Sequence, residues 1–179
     1  MSIALLIIDV QNFVEHRINN GIPYYPHSAL NNMGEILKNF RSNNHHIIHI
    51  VHQSTEEDSL LHPQSPYYPI MDNVKNNADE PVFIKTTSSA FASGEVKRYL
   101  DEHTISEVFV IGAVAGFCVN STVRHGSDLG ISMTVFRDAV ISFALSDDEG
   151  EEKTIHDITM KLLASDFSKV MNTKDFLNI

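Results

Sequence analysis

Cysteine is nearly absent: Cys118 stands alone among 179 residues. One thiol cannot form an internal disulfide, which fits a reducing compartment and leaves that thiol to be explained, either as buried packing or as a reactive group. Positive charge is also scarce, with 13 Lys and Arg against 23 Asp and Glu and a formal net charge of −10. A nucleic-acid surface needs clustered cations to neutralise phosphates, so no nucleic-acid partner is expected. Long apolar runs are missing as well. The opening run Ile3–Ile8 has no basic lead and is cut by Asp9 after six residues. That is far short of the ~20 apolar residues of a membrane span, so it reads as neither a signal peptide nor an anchor. The expectation is a soluble, cytoplasmic protein without a membrane partner. No internal repeat and no low-complexity tract interrupts the chain.

What is present is enough apolar material, 42% of residues, to bury one substantial core, and too little length for two ordinary domains. A single domain over 1–179 is expected. Ile3–Ile8 is continuously apolar and rich in branched residues, the pattern of a parallel strand buried on both faces. Similar short runs recur at Ile47–Val51, Val82–Ile84, Val108–Ile111 and Ile131–Phe136, the last ended by Arg137-Asp138, with a short final strand near Lys169–Met171. Between them, Leu30, Met33, Ile36, Leu37 and Phe40 recur at helical spacing, and Val96–His103, Val119–Leu129 and Asp147–Ala164 also read as helical, with a closing turn over Thr173–Leu177. Strands alternating with helices predict an α/β fold with a parallel sheet covered on both faces.

In such a sheet ligands bind beyond the carboxyl ends of the strands. Asp9 directly follows the first strand, Lys85 directly follows Val82–Ile84, and Cys118 lies six residues after Gly112, where another strand gives way to a helix. All three therefore fall on the ligand-binding edge. Taken singly, each has an ordinary account as a cap, a solvated strand end or core packing. Together they supply what an attacking thiol needs, a cation to steady the thiolate and a carboxylate to take its proton. The segment from Gln53 to Pro81 is long for a connection and carries four prolines, so it is read as a wall of the binding site. Tyr67 and Tyr68 on it would either close over a ligand or meet a neighbouring subunit.

These residues resemble the isochorismatase-like cysteine hydrolase superfamily, which includes nicotinamidases and N-carbamoylsarcosine amidohydrolases. The matching pieces are Leu6-Ile7-Ile8-Asp9-Val10-Gln11-Asn12, Ile84-Lys85 with Ser89-Ala90-Phe91, Gly112 to Val119 followed by Thr122 and Gly130, and Asp138-Ala139. The resemblance implies a three-layer α/β/α fold around a six-stranded parallel sheet. It implies Asp9 as general base and acid, Lys85 as the stabilising cation and Cys118 as nucleophile. It further implies a cis peptide joining Ala113 to Val114, and an oxyanion hole made by the N–H groups of Val114 and Cys118. Gln11, His52, Phe91 and Phe117 are expected to contact substrate. The expected reaction is cleavage of a C–N bond in a small amide or carbamoyl compound through a thioester. Vinyl-ether hydrolysis of isochorismate and a catalytically idle metabolite-binding or partner-binding protein are the alternatives. A homodimer or homotetramer is the expected assembly.

The pattern is not matched throughout. Ala115 stands where the family often has Thr, and Val14 where many members have an aromatic residue. The Asp-x-His segment with which nicotinamidases hold a metal is replaced by His49-Ile50-Val51-His52. His52 and His62 alone make a poor ligand set, so neither a metal nor another cofactor is expected. Two other folds place an Asp after their first strand. Asp9-Val10-Gln11 lacks the second Asp of haloacid dehalogenase-type phosphatases, and no Gly-x-Gly-x-x-Gly follows, which sets aside a dinucleotide-binding protein.

Overall fold

The computed structural model describes residues 2–178. Strand β1, Ser2–Ile8, is central, and its unbroken apolar sequence serves two cores at once. Ala4, Leu6 and Ile8 point into one, Leu5 and Ile7 into the other, as the two-residue period of a strand requires. The chain continues through α1 (Phe13–Asn19), β2 (Tyr24–Tyr25), α2 (Ala29–Ser42), β3 (His46–His52), β4 (Val82–Lys85), α3 (Glu95–Glu102) and β5 (Ile105–Ala113). It then runs through α4 (Asn120–Asp128), β6 (Ser132–Phe143), α5 (Glu151–Asp166), β7 (Lys169–Met171) and α6 (Thr173–Leu177). Val96 and Leu100 of α3, Val123 of α4 and Met160 and Leu163 of α5 cover the first face, whereas Phe13 and Val14 of α1 and Met33, Ile36, Leu37 and Phe40 of α2 cover the second. Three layers result, as expected.

The strand order is β2-β6-β5-β1-β3-β4, with β7 also paired to β6. Six strands are parallel. The seventh, β2, is a two-residue antiparallel addition in which Tyr24 and Tyr25 pair with Phe143 and Ser142, so the sheet is mixed rather than purely parallel. The sequence gives little sign of β2 because two residues carry no period. Strand β6 also runs past Arg137-Asp138, where the sequence suggests an end. Both charges are accommodated: Arg137 reaches Asp157 at 3.3 Å, and Asp138 Oδ1 accepts hydrogen bonds from Thr173 N and Oγ1, each at 2.8 Å. With its charges satisfied, the strand continues through Ala139–Phe143, all buried.

The segment after β3 is tied down. Asn12 N donates to Pro69 O, Phe13 N to Tyr67 O and Met71 N to Val10 O, at 2.8, 2.9 and 3.0 Å. A short 3-10 turn over Asp72–Val74 follows. These bonds fasten the long segment to the start of α1, a helix absent from the sequence reading. Tyr67 lies tilted against His16 with ring centroids 3.9 Å apart, and the Tyr68 hydroxyl reaches Gln53 at 3.2 Å. Both tyrosines are thus engaged within their own chain. Among the described residues no helix is long and apolar enough to cross a membrane.

Candidate active site

The carboxyl ends of β1, β3, β4 and β5 deliver the site. Asp9 ends β1 with φ at +53°, a backbone conformation that residues other than glycine seldom adopt; its N–H donates to Ile50 O at 3.0 Å. Gly112 must be glycine, because a Cβ there would lie 2.1 Å from Ile8 O. This close approach of β5 to β1 brings the turn after β5 alongside Asp9. The Ala113–Val114 peptide is cis. A π-helical turn over Ala115–Val119 then presents Cys118 before α4 begins, and Phe117 within it leaves helical geometry at φ −116°, ψ −106°.

Lys85, at the end of β4, is the hub. Its Nζ lies 2.8 Å from Asp9 Oδ2, 2.8 Å from His52 Nδ1, 3.1 Å from Thr87 O and 3.3 Å from Cys118 Sγ. An ammonium has only hydrogens to offer, so the His52 nitrogen facing it is a lone pair and the ring proton sits on Nε2. Burial and the Lys85 charge both lower the His52 pKa, which keeps the ring neutral. Burial pushes the Asp9 carboxyl above its ordinary value against the opposing pull of Lys85. Burial, reinforced by the Asp9 charge, pushes the Cys118 thiol up to about 12, although Lys85 pulls the other way. Asp9 Oδ1 is buried and has no hydrogen-bond partner among the described residues. The resting arrangement is therefore a protonated thiol close to an unoccupied acceptor.

One oxygen of Asp9, a ring nitrogen of His52 and Cys118 Sγ lie within 4.8 Å of one another, the one such group among the described residues with metal-ligand spacing. Lys85 Nζ contacts all three residues, 3.3 Å from the sulfur and 2.8 Å from Asp9 Oδ2 and from His52 Nδ1. His62 is not part of the group; its Nδ1 accepts the Gln64 N–H at 3.3 Å within the long segment.

Above the cluster opens a cavity of about 260 Å3, walled by Phe13, Leu61, Val114, Phe117, Phe143 and Leu145, with Asp9, His52 and Cys118 on its floor and Arg17 at its side. Of the four residues expected to contact substrate, His52 and Phe117 line this cavity. Gln11 and Phe91 do not. Gln11 is fully buried and bonds to His52 N, His52 O and Tyr68 O at 2.9, 3.1 and 2.7 Å, so it clamps the end of β3 to the long segment. Phe91 is core, packed against Gly126 of α4. The neighbouring Ala90 N donates to Thr122 Oγ1 at 3.0 Å, a bond that pins the segment after Lys85 to α4. Ala115 and Val14 are fully buried packing. Of the long segment, Leu61 alone reaches the cavity wall.

Phe13, Arg17, Leu61, Phe143 and Leu145 were not evident as site residues. Phe13, Val14, Arg17 and Ile18 do recur at helical spacing, a signal for α1. Nothing in the sequence, however, says that α1 folds over the strand ends.

A model of the isochorismatase domain matches residues 3–175. The chain belongs to the isochorismatase family. It is 28% identical to the uncharacterized isochorismatase family protein YrdC of Bacillus subtilis, over 98% of this chain and 94% of that one. Among solved structures, a hydrolase of the isochorismatase family from Chromobacterium violaceum superposes with a TM-score of 0.91 at 25% identity, covering 99% of this chain and 92% of that one. A cysteine hydrolase from Pseudomonas syringae pv. phaseolicola has the same fold, with a TM-score of 0.84 at 17% identity over 98% of this chain and 91% of that one. Membership in the isochorismatase family makes hydrolysis the general activity, and leaves the bond cleaved to be argued from the site.

Proposed function

We propose that this isochorismatase-family hydrolase cleaves the C–N bond of a small amide or carbamoyl compound through a thioester at Cys118. The observation that carries the reading is the Lys85 ammonium held between Asp9, His52 and the Cys118 sulfur at the floor of an apolar cavity. A half-buried thiol with its pKa pushed up to about 12 does not ionise by itself at neutral pH. It needs a base at the moment of attack. Asp9 Oδ1 is the free acceptor nearby, and its raised pKa suits it both to take the thiol proton and to return it.

In the proposed sequence Cys118 Sγ adds to the carbonyl carbon as its proton passes to Asp9. The oxygen that becomes negative is met by the N–H groups of Val114 and Cys118. Collapse breaks the C–N bond, Asp9 gives the proton to the departing nitrogen, and ammonia or an amine leaves. Water then adds to the thioester with Asp9 again as base, releasing the acid and restoring the thiol. Lys85 holds the carboxylate in place and offsets negative charge on sulfur. His52, neutral with its proton on Nε2, donates to the substrate. Vinyl-ether hydrolysis has no need of the thiol, so the intact thiol cluster favours C–N cleavage.

The test is an ammonia-release screen over small amides, ureas and carbamoyl compounds, with Cys118→Ala as the blank. Turnover should fall by about 10⁴-fold or more in the variant. Retained turnover would refute the thioester route.

A further inference from the structure

Arg17 is the one charged or polar side chain lining the cavity that the chemistry above leaves unused. It stands four residues after Phe13 on α1, so the two side chains share a helix face, and both line the cavity. The guanidinium carbon lies 5.5 Å from the centre of the Phe143 ring, on another wall of the same cavity. Arg17 Nε is buried without a hydrogen-bond partner, and none of the ion pairs among the described residues includes Arg17. The other partly buried arginines are paired: Arg41 has both Glu80 oxygens within 2.8 Å, and Arg137 reaches Asp157 at 3.3 Å. A guanidinium placed against aromatic walls with its charge uncompensated favours any ligand that brings a matching anion, and its planar fork fits a carboxylate.

We infer that Arg17 is the anion-recognising residue of this pocket and that the substrate carries a carboxylate at the end remote from the bond cleaved. This deepens the proposed C–N hydrolysis and rests on it for the identity of the reacting end. The cavity, about 260 Å3, is smaller than those that hold drug-sized ligands. The ligand is thus a short amide-acid or N-carbamoyl acid, its apolar middle against Phe13, Phe117 and Phe143 and its amide over Cys118.

Two measurements test this without a known substrate. In the Cys118→Ser protein, calorimetric titration compares succinamate, which carries a carboxylate, with neutral succinamide. Succinamate should bind on the order of tenfold or more tighter, and Arg17→Gln should abolish the difference. In the protein with its native thiol, Cys118 is the single alkylation site. The rate with anionic iodoacetate relative to neutral iodoacetamide should fall on the order of tenfold in Arg17→Gln. Equal or absent binding of the two amides, or an anion preference that survives Arg17→Gln, overturns the role of Arg17. An intact anion preference on a thiol that neither reagent modifies would uphold Arg17 and sink the thioester reaction instead.

Discussion

Two of the three histidines of strand β3, His49 and His52, each belong to a group containing one carboxylate and one cation. His49 meets Glu80, which binds Arg41; His52 meets Lys85, which binds Asp9. In the first group the carboxylate is saturated. Glu80 takes two bonds from Arg41 at 2.7 and 2.8 Å, one from Asn77 N at 3.0 Å and one from His49 Nε2 at 2.9 Å. Burial works to raise its pKa, but these bonds outweigh it and hold the carboxyl at about 2. In the second group Asp9 binds Lys85 through one oxygen, keeps the other free, and has its pKa raised. The same three kinds of group thus give a staple in one place and a proton acceptor beside a thiol in the other. What separates them is how completely the carboxylate is bonded and whether a cavity opens over it.

Substitutions on the two sides sharpen that contrast. The largest effect is expected from Lys85→Met, which removes the hub of the second group: turnover in the ammonia assay should drop by about 10³-fold or more. Glu80→Gln should leave turnover close to that of the unaltered protein and cost stability instead. The Arg41 side chain is one-third exposed, so about 1–2 kcal/mol is expected in urea unfolding. A loss of turnover in Glu80→Gln without loss of stability would erase the distinction. The smallest effect is on pH dependence. Because the folded pKa of Glu80 is depressed from 4.5 to about 2, its contribution is complete above about pH 4.5 and is lost as pH falls towards 2. The urea midpoint should decline over that window, and Glu80→Gln should flatten the decline.

The strand ends were legible because a single polar residue after a run of branched apolar ones can go nowhere but the sheet edge. That is how Asp9 and Lys85 declare themselves, and the cysteine, standing alone after Gly112, joins them by topology. Direction of a side chain is a different matter. Gln11 and Phe91 lie near the same edge but turn inward, one to clamp β3 to the long segment and the other to pack on Gly126. Arg17 and Phe143 were hidden for the converse reason. Their place in the pocket depends on the backbone bonds that fasten residues 67–71 to α1 and on the extension of β6 past two satisfied charges, both long-range events with no local pattern.

Alkylation of the lone thiol by iodoacetamide at neutral pH, in the native protein and in the urea-unfolded chain, is the most direct test of a reactive cluster. With its pKa pushed up to about 12, the folded thiol reacts through proton transfer to Asp9, so Lys85→Met should slow alkylation of the folded protein on the order of tenfold or more and leave the rate in the unfolded chain unchanged. Slower reaction in the folded state, unchanged by Lys85→Met, would show Cys118 to be inert packing and contradict the mechanism.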